Sequence, residues 1–230
     1  MELKNKVIVI TGSSKGLGKG LAKAFIQHGS IVVLNGRNKT ELDSAAKELN
    51  CFALVGDVSK EQELESLKDK VLEKYGKIDV WINNAGFWIP RSTVEDTDWA
   101  GVAHKLFEVN FFGTVFGSKV ALTQMRRQGS GVIINILSTG ALDGREKSSA
   151  YRSSKFAAAG FTKCLRRELA GSGISALSIY PGGMKTNLFD AEIPEDFDKY
   201  MEVDFVADKI LNNLLSDKSE EELIIARPNR

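Results

Sequence analysis

The sequence predicts an α/β fold: a single domain over residues 1–230 built on one doubly wound parallel β-sheet with helices on both faces. Three observations carry that prediction. Apolar runs of four to eight residues alternate with longer helix-periodic segments along almost the whole chain, as successive βαβ units require. The apolar runs are nearly continuous in Val, Ile and Leu, which suits strands covered on both faces. A glycine-rich turn, Thr11-Gly12-Ser13-Ser14-Lys15-Gly16-Leu17-Gly18, lies between the first apolar run and the first helical pattern, at the ligand-binding edge of such sheets.

The elements follow in order. Val7–Ile10 reads as the first strand and Gly16–His28 as the first helix. Ile31–Leu34 and Phe52–Val55 are strands flanking a helix over Glu41–Leu49. Glu61–Lys74 is helical and precedes the strand Val80–Ile82. A long helix over about Val102–Arg127 leads to the strand Val132–Leu137, and a second long helix runs from Tyr151 to about Ala170. Strand Ala176–Ile179, helix Val206–Leu215 and strand Leu223–Ala226 complete the pattern. Between the last two strands, about residues 185–203 are rich in acids and broken by Pro194, the composition of a mobile lid.

Composition bounds the function. A net charge of +1 argues against a dedicated nucleic-acid or membrane-surface binder, since both need a strong basic excess. Cys51, Cys164, His28 and His104 form no metal-like spacing, so no metal site is expected. The apolar strand begins at once after Lys6, which leaves no signal-peptide pattern, and no apolar run reaches about 18 residues. A cytoplasmic protein acting on a small molecule is the expectation.

Glycines in the first turn allow a close backbone approach to a pyrophosphate, and the helix that follows offers unpaired N–H groups and a favourable dipole. Gly12, Ser14, Lys15, Gly16, Leu17 and Gly18 are therefore candidate dinucleotide contacts. The acidic residue that usually binds the ribose 2′-hydroxyl of NAD at the end of the second strand is missing, for no Asp or Glu lies between Ile31 and Thr40. Arg37 and Asn38 stand there instead. A guanidinium can pair a 2′-phosphate through charge-assisted bonds, and Lys15 can approach the same group, so NADP is favoured over NAD. Asp57 and Val58 follow the third strand; Asp57 either accepts from the adenine amino group or tightens its own loop. Asn83-Asn84-Ala85-Gly86 ends the fourth strand, where small residues let backbone pack against a cofactor, although turn chemistry accounts for part of that composition.

Tyr151 and Lys155 are spaced i, i+4 and so share a helix face, while Ser138 lies thirteen positions before Tyr151. A fixed ammonium beside a phenol lowers its pKa from about 10 toward the operating pH, where acid/base catalysis is most efficient. Ser138 would hold the substrate oxygen.

These pieces, in this order, resemble the short-chain dehydrogenase/reductase family in its shorter, non-extended form. The resemblance rests on Thr11-Gly12-x-x-x-Gly16-x-Gly18, Asn83-Asn84-Ala85-Gly86, Asn110, Ser138, Tyr151-x-x-x-Lys155 and Pro181-Gly182-x-x-x-Thr186, and it spans most of the chain. It implies a Rossmann fold and a catalytic tetrad of Asn110, Ser138, Tyr151 and Lys155. By that resemblance Tyr151 protonates a carbonyl oxygen as the pro-S hydride leaves the nicotinamide, and Lys155 binds the nicotinamide ribose as well as tuning the phenol. Asn110 bends its helix and holds a water that links Lys155 to solvent. Pro181, Gly182, Met184 and Thr186 receive the carboxamide, with Asn84, Ala85 and Gly86 also against the cofactor.

Phe87, Trp88, Ile89, Leu142, Arg145, Met184, Leu188 and Phe189 flank the expected pocket mouth, so an apolar or aromatic carbonyl compound is favoured, unless Phe87–Ile89 is loop core. The alternative within the family is a 3-oxoacyl thioester reductase acting on a carrier-protein or CoA substrate; a non-catalytic NADP-binding sensor is a further one. Seven acids and one lysine between Asp190 and Asp204 disfavour an acidic carrier, while Arg126, Arg127, Arg166 and Arg167 could dock one. The end of the chain, Glu222 to Arg230, departs from the glycine-rich tail of the carrier-protein reductases. A tetramer is therefore in doubt, and a homodimer through the two long helices is implied.

Overall fold

The computed structural model describes residues 1–89, 93–190 and 192–227. Pro228 to Arg230 of the departing tail and Ala191 of the acidic segment lie outside the described residues. Seven strands form one parallel sheet: β1 (Val7–Ile10), β2 (Ile31–Gly36), β3 (Phe52–Val55), β4 (Val80–Asn83), β5 (Gly131–Ile136), β6 (Ile174–Pro181) and β7 (Glu222–Ile225). Their order is β3-β2-β1-β4-β5-β6-β7, so the winding reverses between β1 and β4, as in the Rossmann fold. A crevice is expected beyond the carboxyl ends of the strands at that reversal.

At that seam the β1–β4 ladder, Ile8 beside Val80 through Ile10 beside Ile82, is reinforced by a carboxylate. Asp79 accepts from the Val7 backbone N–H at 2.8 Å and from Lys6 Nζ at 3.1 Å, and Lys77 Nζ lies 2.9 Å away. Burial raises the pKa of Asp79, but bonds to Lys77, the Val7 N–H and Lys6 outweigh it and hold the carboxyl below its ordinary value.

Two apolar layers cover the sheet. Strand β1 serves both, with Ile8 and Ile10 in one layer and Val7 and Val9 in the other. The first layer receives Leu21 and Phe25 from α1 (Gly16–Gln27), with Ile210 and Leu214 from α7 (Val203–Leu215). In the second lie Leu64 and Leu67 from α3 (Glu61–Tyr75), and Val120 and Met125 from α5 (Gly113–Gln128). Leu165 of α6 (Ser149–Glu168) joins them.

Boundaries shift where local chemistry intervenes. Helix α2 (Lys39–Leu49) begins two residues before the expected Glu41, because the Asn38 side chain caps it, accepting from the Glu41 N–H at 3.2 Å. The long helix expected over about 102–127 is three pieces: α4 (Trp99–Leu106), a π-helical stretch at Phe107–Phe112, and α5. Asn110, the residue expected to bend its helix, sits in the π stretch. The acidic segment is less open than its composition suggests. Met184 pairs with Met201 in a bridge, short 3₁₀ turns occupy Asn187–Phe189 and Phe197–Lys199, and α7 already starts at Val203.

A buried polar chain fixes α6 to the sheet. Trp81 Nε1 donates to Asn83 Oδ1 at 2.8 Å, Asn83 Nδ2 to Asn135 Oδ1 at 2.8 Å, and Asn135 Nδ2 to Thr162 Oγ1 at 2.9 Å. Every donor here is matched, so the chain rigidifies the helix that bears Tyr151 and Lys155 at little desolvation cost. Among the described residues no helix is long and apolar enough to cross a membrane.

Candidate active site

Beyond the carboxyl ends of the strands lies a cleft of about 1040 Å³. The glycine turn, the ends of β2 to β6 and the 183–195 segment line it. Of the candidate cofactor residues, all line the cleft except Gly18, which lies behind it.

The turn is shaped by close contacts. Gly12 has φ +61°, and a Cβ there would sit 2.6 Å from Ala85 Cα. At Gly18 a Cβ would meet Asn84 Nδ2 at 2.5 Å and Gly12 O at 2.6 Å. Only glycine fits either place. Asn84 does the stitching, donating to Thr11 O at 2.8 Å and Gly12 O at 3.0 Å, while Thr11 Oγ1 accepts from the Asn84 and Ala85 N–H groups. The amides of Asn83 and Asn84 thus serve the protein, and Ala85 and Gly86 face the cleft. Helix α1 starts at Gly16 with no side-chain cap and no acid in its first turn, leaving its N–H groups and positive dipole end toward the cleft.

The two cations proposed for a 2′-phosphate have partners. Arg37 Nη1 lies 3.9 Å from Asp57 Oδ2, and Lys15 Nζ lies 3.6 Å from Glu41 Oε1. Asp57 also accepts from the Ser59 N–H at 3.0 Å and Oγ at 2.8 Å, so its loop-tightening role is realised. Burial raises its pKa; the Ser59 bonds and the charges of Arg37 and Lys60 more than offset this and hold the carboxyl below its usual range.

At the other end Ser138, at the end of β5, Tyr151, in the first turn of α6, and Lys155 meet on the cleft wall. The Ser138 hydroxyl accepts from the Gly140 N–H at 3.0 Å, and its nearness to the Tyr151 phenol favours the phenolate. Lys155 is 5% exposed and donates to Ile136 O at 3.2 Å. Here the expected tuning is reversed. Burial pushes the Tyr151 phenol above its ordinary value of 10, against the smaller lowering effects of Ser138 and the Arg152 charge. Burial also draws Lys155 down from 10.5 to about 8. The low-dielectric pocket disfavours both charged forms, and the ammonium is turned to a carbonyl rather than to the phenol.

Asn110 stands one layer behind, with no exposed surface. Its Oδ1 accepts from the Phe87 N–H at 2.8 Å, and its Nδ2 donates to Phe87 O at 2.9 Å and Ser154 Oγ at 3.0 Å. Both amide hydrogens are committed, so the side chain anchors the Phe87 loop to α6. Of the expected mouth residues, Phe87, Trp88, Arg145, Met184, Leu188 and Phe189 line the cleft, whereas Ile89 and Leu142 do not.

A family model described as short chain dehydrogenase matches residues 6–196. The chain belongs to the short-chain dehydrogenase family. An oxidoreductase of Staphylococcus saprophyticus of uncharacterised activity is 37% identical over 194 residues, covering 82% of each chain. An alcohol dehydrogenase from the archaeon Thermococcus sibiricus, solved with 5-hydroxy-NADP, superimposes with a TM-score of 0.88 at 27% identity, covering 99% of this chain and 98% of its own. A 3-ketoacyl-(acyl-carrier-protein) reductase from Brucella melitensis, solved with NADH, gives 0.89 at 27% identity, covering 97% of both. Members of this short-chain dehydrogenase family thus carry either nicotinamide cofactor on the fold described above.

Sequence reasoning missed Glu41 and Tyr200, both of which line the cleft. For Glu41 a signal existed: Asn38-x-x-Glu41 is a helix-start pattern that fixes where its side chain begins. Tyr200 offered none, since its place depends on the Met184–Met201 bridge.

Proposed function

We propose that this short-chain dehydrogenase is an NADP-dependent oxidoreductase that interconverts a carbonyl compound and a secondary alcohol, with Tyr151 as general acid/base. The observation that carries the reading is the convergence of Ser138, Tyr151 and buried Lys155 on one end of a cleft whose other end is an uncapped helix start. The cleft suits a dinucleotide. Gly12, Gly16 and the α1 N–H groups would hold the pyrophosphate, and Arg37 with Lys15 would face a 2′-phosphate. Asn38, Val58, Ala85, Gly86, Pro181, Gly182, Met184 and Thr186 would line the rest. A bound nicotinamide supplies or removes the hydride at the substrate carbon.

The chain's own groups would handle the proton. Ser138 would hold the substrate oxygen where negative charge develops. Tyr151, kept neutral by burial, would give its proton to that oxygen in the reductive direction. Lys155, at about 8, both gives and takes protons near neutral pH and would restore the proton of Tyr151. Asn110 would act as a positioning residue through Phe87 and Ser154.

Trp88, Phe189 and Leu188 support an apolar or aromatic substrate, over which the 185–203 segment would serve as a lid. A carrier-bound thioester has less support. Asp190, Glu192 and Glu195 line the same end, and Arg166 is spent on Ala176 O, Ser178 Oγ and Glu221 O. Exposed Phe112 on the helix junction and Phe156 on α6 support the homodimer expected from the long helices.

The test is NADPH consumption with a panel of apolar and aromatic ketones and aldehydes. Tyr151→Phe should lower kcat about 10³-fold while NADPH still binds. Normal turnover by that variant refutes the mechanism, and equal NADPH and NADH affinities in the wild type refute the cofactor preference.

A further inference from the structure

Around the glycine-turn end of the cleft, charges alternate: Lys15 with Glu41, and Arg37 with Asp57. All four residues line it. The pairs are built differently. Asp57 is tied by the Ser59 N–H and hydroxyl, and its own N–H donates to Glu63 Oε2 at 2.8 Å, so its carboxylate is part of the loop. Glu41 has no such ties. Its carboxylate is half-exposed, and its contact with Lys15 is an ion pair at 3.6 Å beyond hydrogen-bonding range. Its backbone is nonetheless fixed, because the Glu41 N–H is held by Asn38 Oδ1. A carboxylate that is free to turn but anchored at its root stands beside the one lysine of the glycine turn.

Building on the NADP reading, we propose that Glu41 sets cofactor selectivity by competing with a 2′-phosphate for Lys15. A phosphate entering this end carries about −2 charge. With Glu41 in place the four side chains present no net charge to it, and Lys15 must leave its partner to engage. NAD carries a hydroxyl at that position and has no claim on Lys15, so Glu41 leaves its binding unchanged. The carboxylate therefore narrows the gap between the two cofactors and does so electrostatically, through exposed groups that salt screens.

The experiment is direct titration of NADPH and NADH into wild type, Glu41→Gln, Lys15→Gln and the double variant, by cofactor fluorescence or calorimetry, with thermal melts as the fold check. At low ionic strength Glu41→Gln should tighten NADPH by about three- to five-fold, the size of one charge interaction across solvent. NADH affinity should stay put. The gain should shrink at about 1 M salt, where screening acts within about 3 Å, and should vanish in the Lys15→Gln background. An unchanged NADPH/NADH ratio overturns the proposal, as does an equal gain for both cofactors. A gain that persists undiminished without Lys15 also overturns it, since direct repulsion of the phosphate would then suffice. Equal wild-type affinities with a selective Glu41→Gln gain would instead refute the NADP preference and leave the role of Glu41 standing.

Discussion

At the glycine-turn end of the cleft, Gly12 meets Ala85 with no room for a methyl group, and Asn84 binds two carbonyls of the turn, whereas the backbone bonds of the described residues of 183–202 run mostly within that segment. Its backbone ties include Met201 N–H to Gly183 O and Lys185 N–H to Met201 O, both at 2.9 Å. Local turns add Phe197 N–H to Pro194 O and Tyr200 N–H to Phe197 O, both at 2.9 Å, and aromatic edges join Trp88 to Phe189 at 5.1 Å and Phe189 to Tyr200 at 5.3 Å. Surface charges add Lys185 with Glu202, and Arg227 with Asp196 at 2.8 Å and over the Tyr200 ring. Backbone complementarity leaves no freedom, while ring contacts can slide. The first end is made for one invariant ligand shape, and the second can be refitted by changing a few side chains.

Lys155, between the two ends, gives the largest expected effect. Its fall from 10.5 to about 8 costs the folded state about 3 kcal/mol at pH 7, at about 1.4 kcal/mol per pH unit. The unfolded chain binds the extra proton between pH 8 and 10.5, so wild-type stability rises with pH across that window. Lys155→Met should therefore abolish turnover yet stabilise the protein at pH 7, with an advantage that fades by pH 10. Denaturant melts at several pH values read this out, and a variant less stable than wild type at pH 7 contradicts it.

Gly12→Ala tests the rigid end. A Cβ 2.6 Å from Ala85 Cα, at φ +61°, should cost about 2–3 kcal/mol and weaken binding of either cofactor, seen as a lower Tm and a raised Kd. Phe189→Ala tests the adjustable end and should do the least to the fold, about 1 kcal/mol or less. Its KM for an aromatic ketone should rise about ten-fold with cofactor affinity unchanged. Reversal of these two outcomes would erase the distinction between the ends.

The contrast also marks what the sequence made legible. Strand identity came through because parallel strands are written in continuous apolar runs, and β1 and β3 match their expected bounds. The glycines of the turn were legible because no other residue fits them. The π stretch at Phe107–Phe112 was not, since an extra residue in a helical turn leaves apolar periodicity nearly intact. Nor was the proton affinity of Tyr151 and Lys155: i, i+4 spacing brings two groups together, but the sign of their shifts depends on how deeply the fold buries them. Tyr200 entered the cleft through a bridge between Met184 and Met201, far apart in sequence and without a pattern of their own.

Asp79 joins two sub-sheets, β1–β3 and β4–β7, each of which contributes one wall of the cleft. Its carboxyl lies below the ordinary value, so its contribution is full above pH 3.8 and is lost as pH falls through the depressed value. Protonation strips Lys6 and Lys77 of their counter-charge and weakens the grip on the Val7 N–H. Acid therefore removes a side-chain tie at the boundary between the two halves. Loss of that tie at low pH should lower stability along the line where the phosphate-facing half meets the Tyr151 half, with the β1–β4 backbone ladder still joining them.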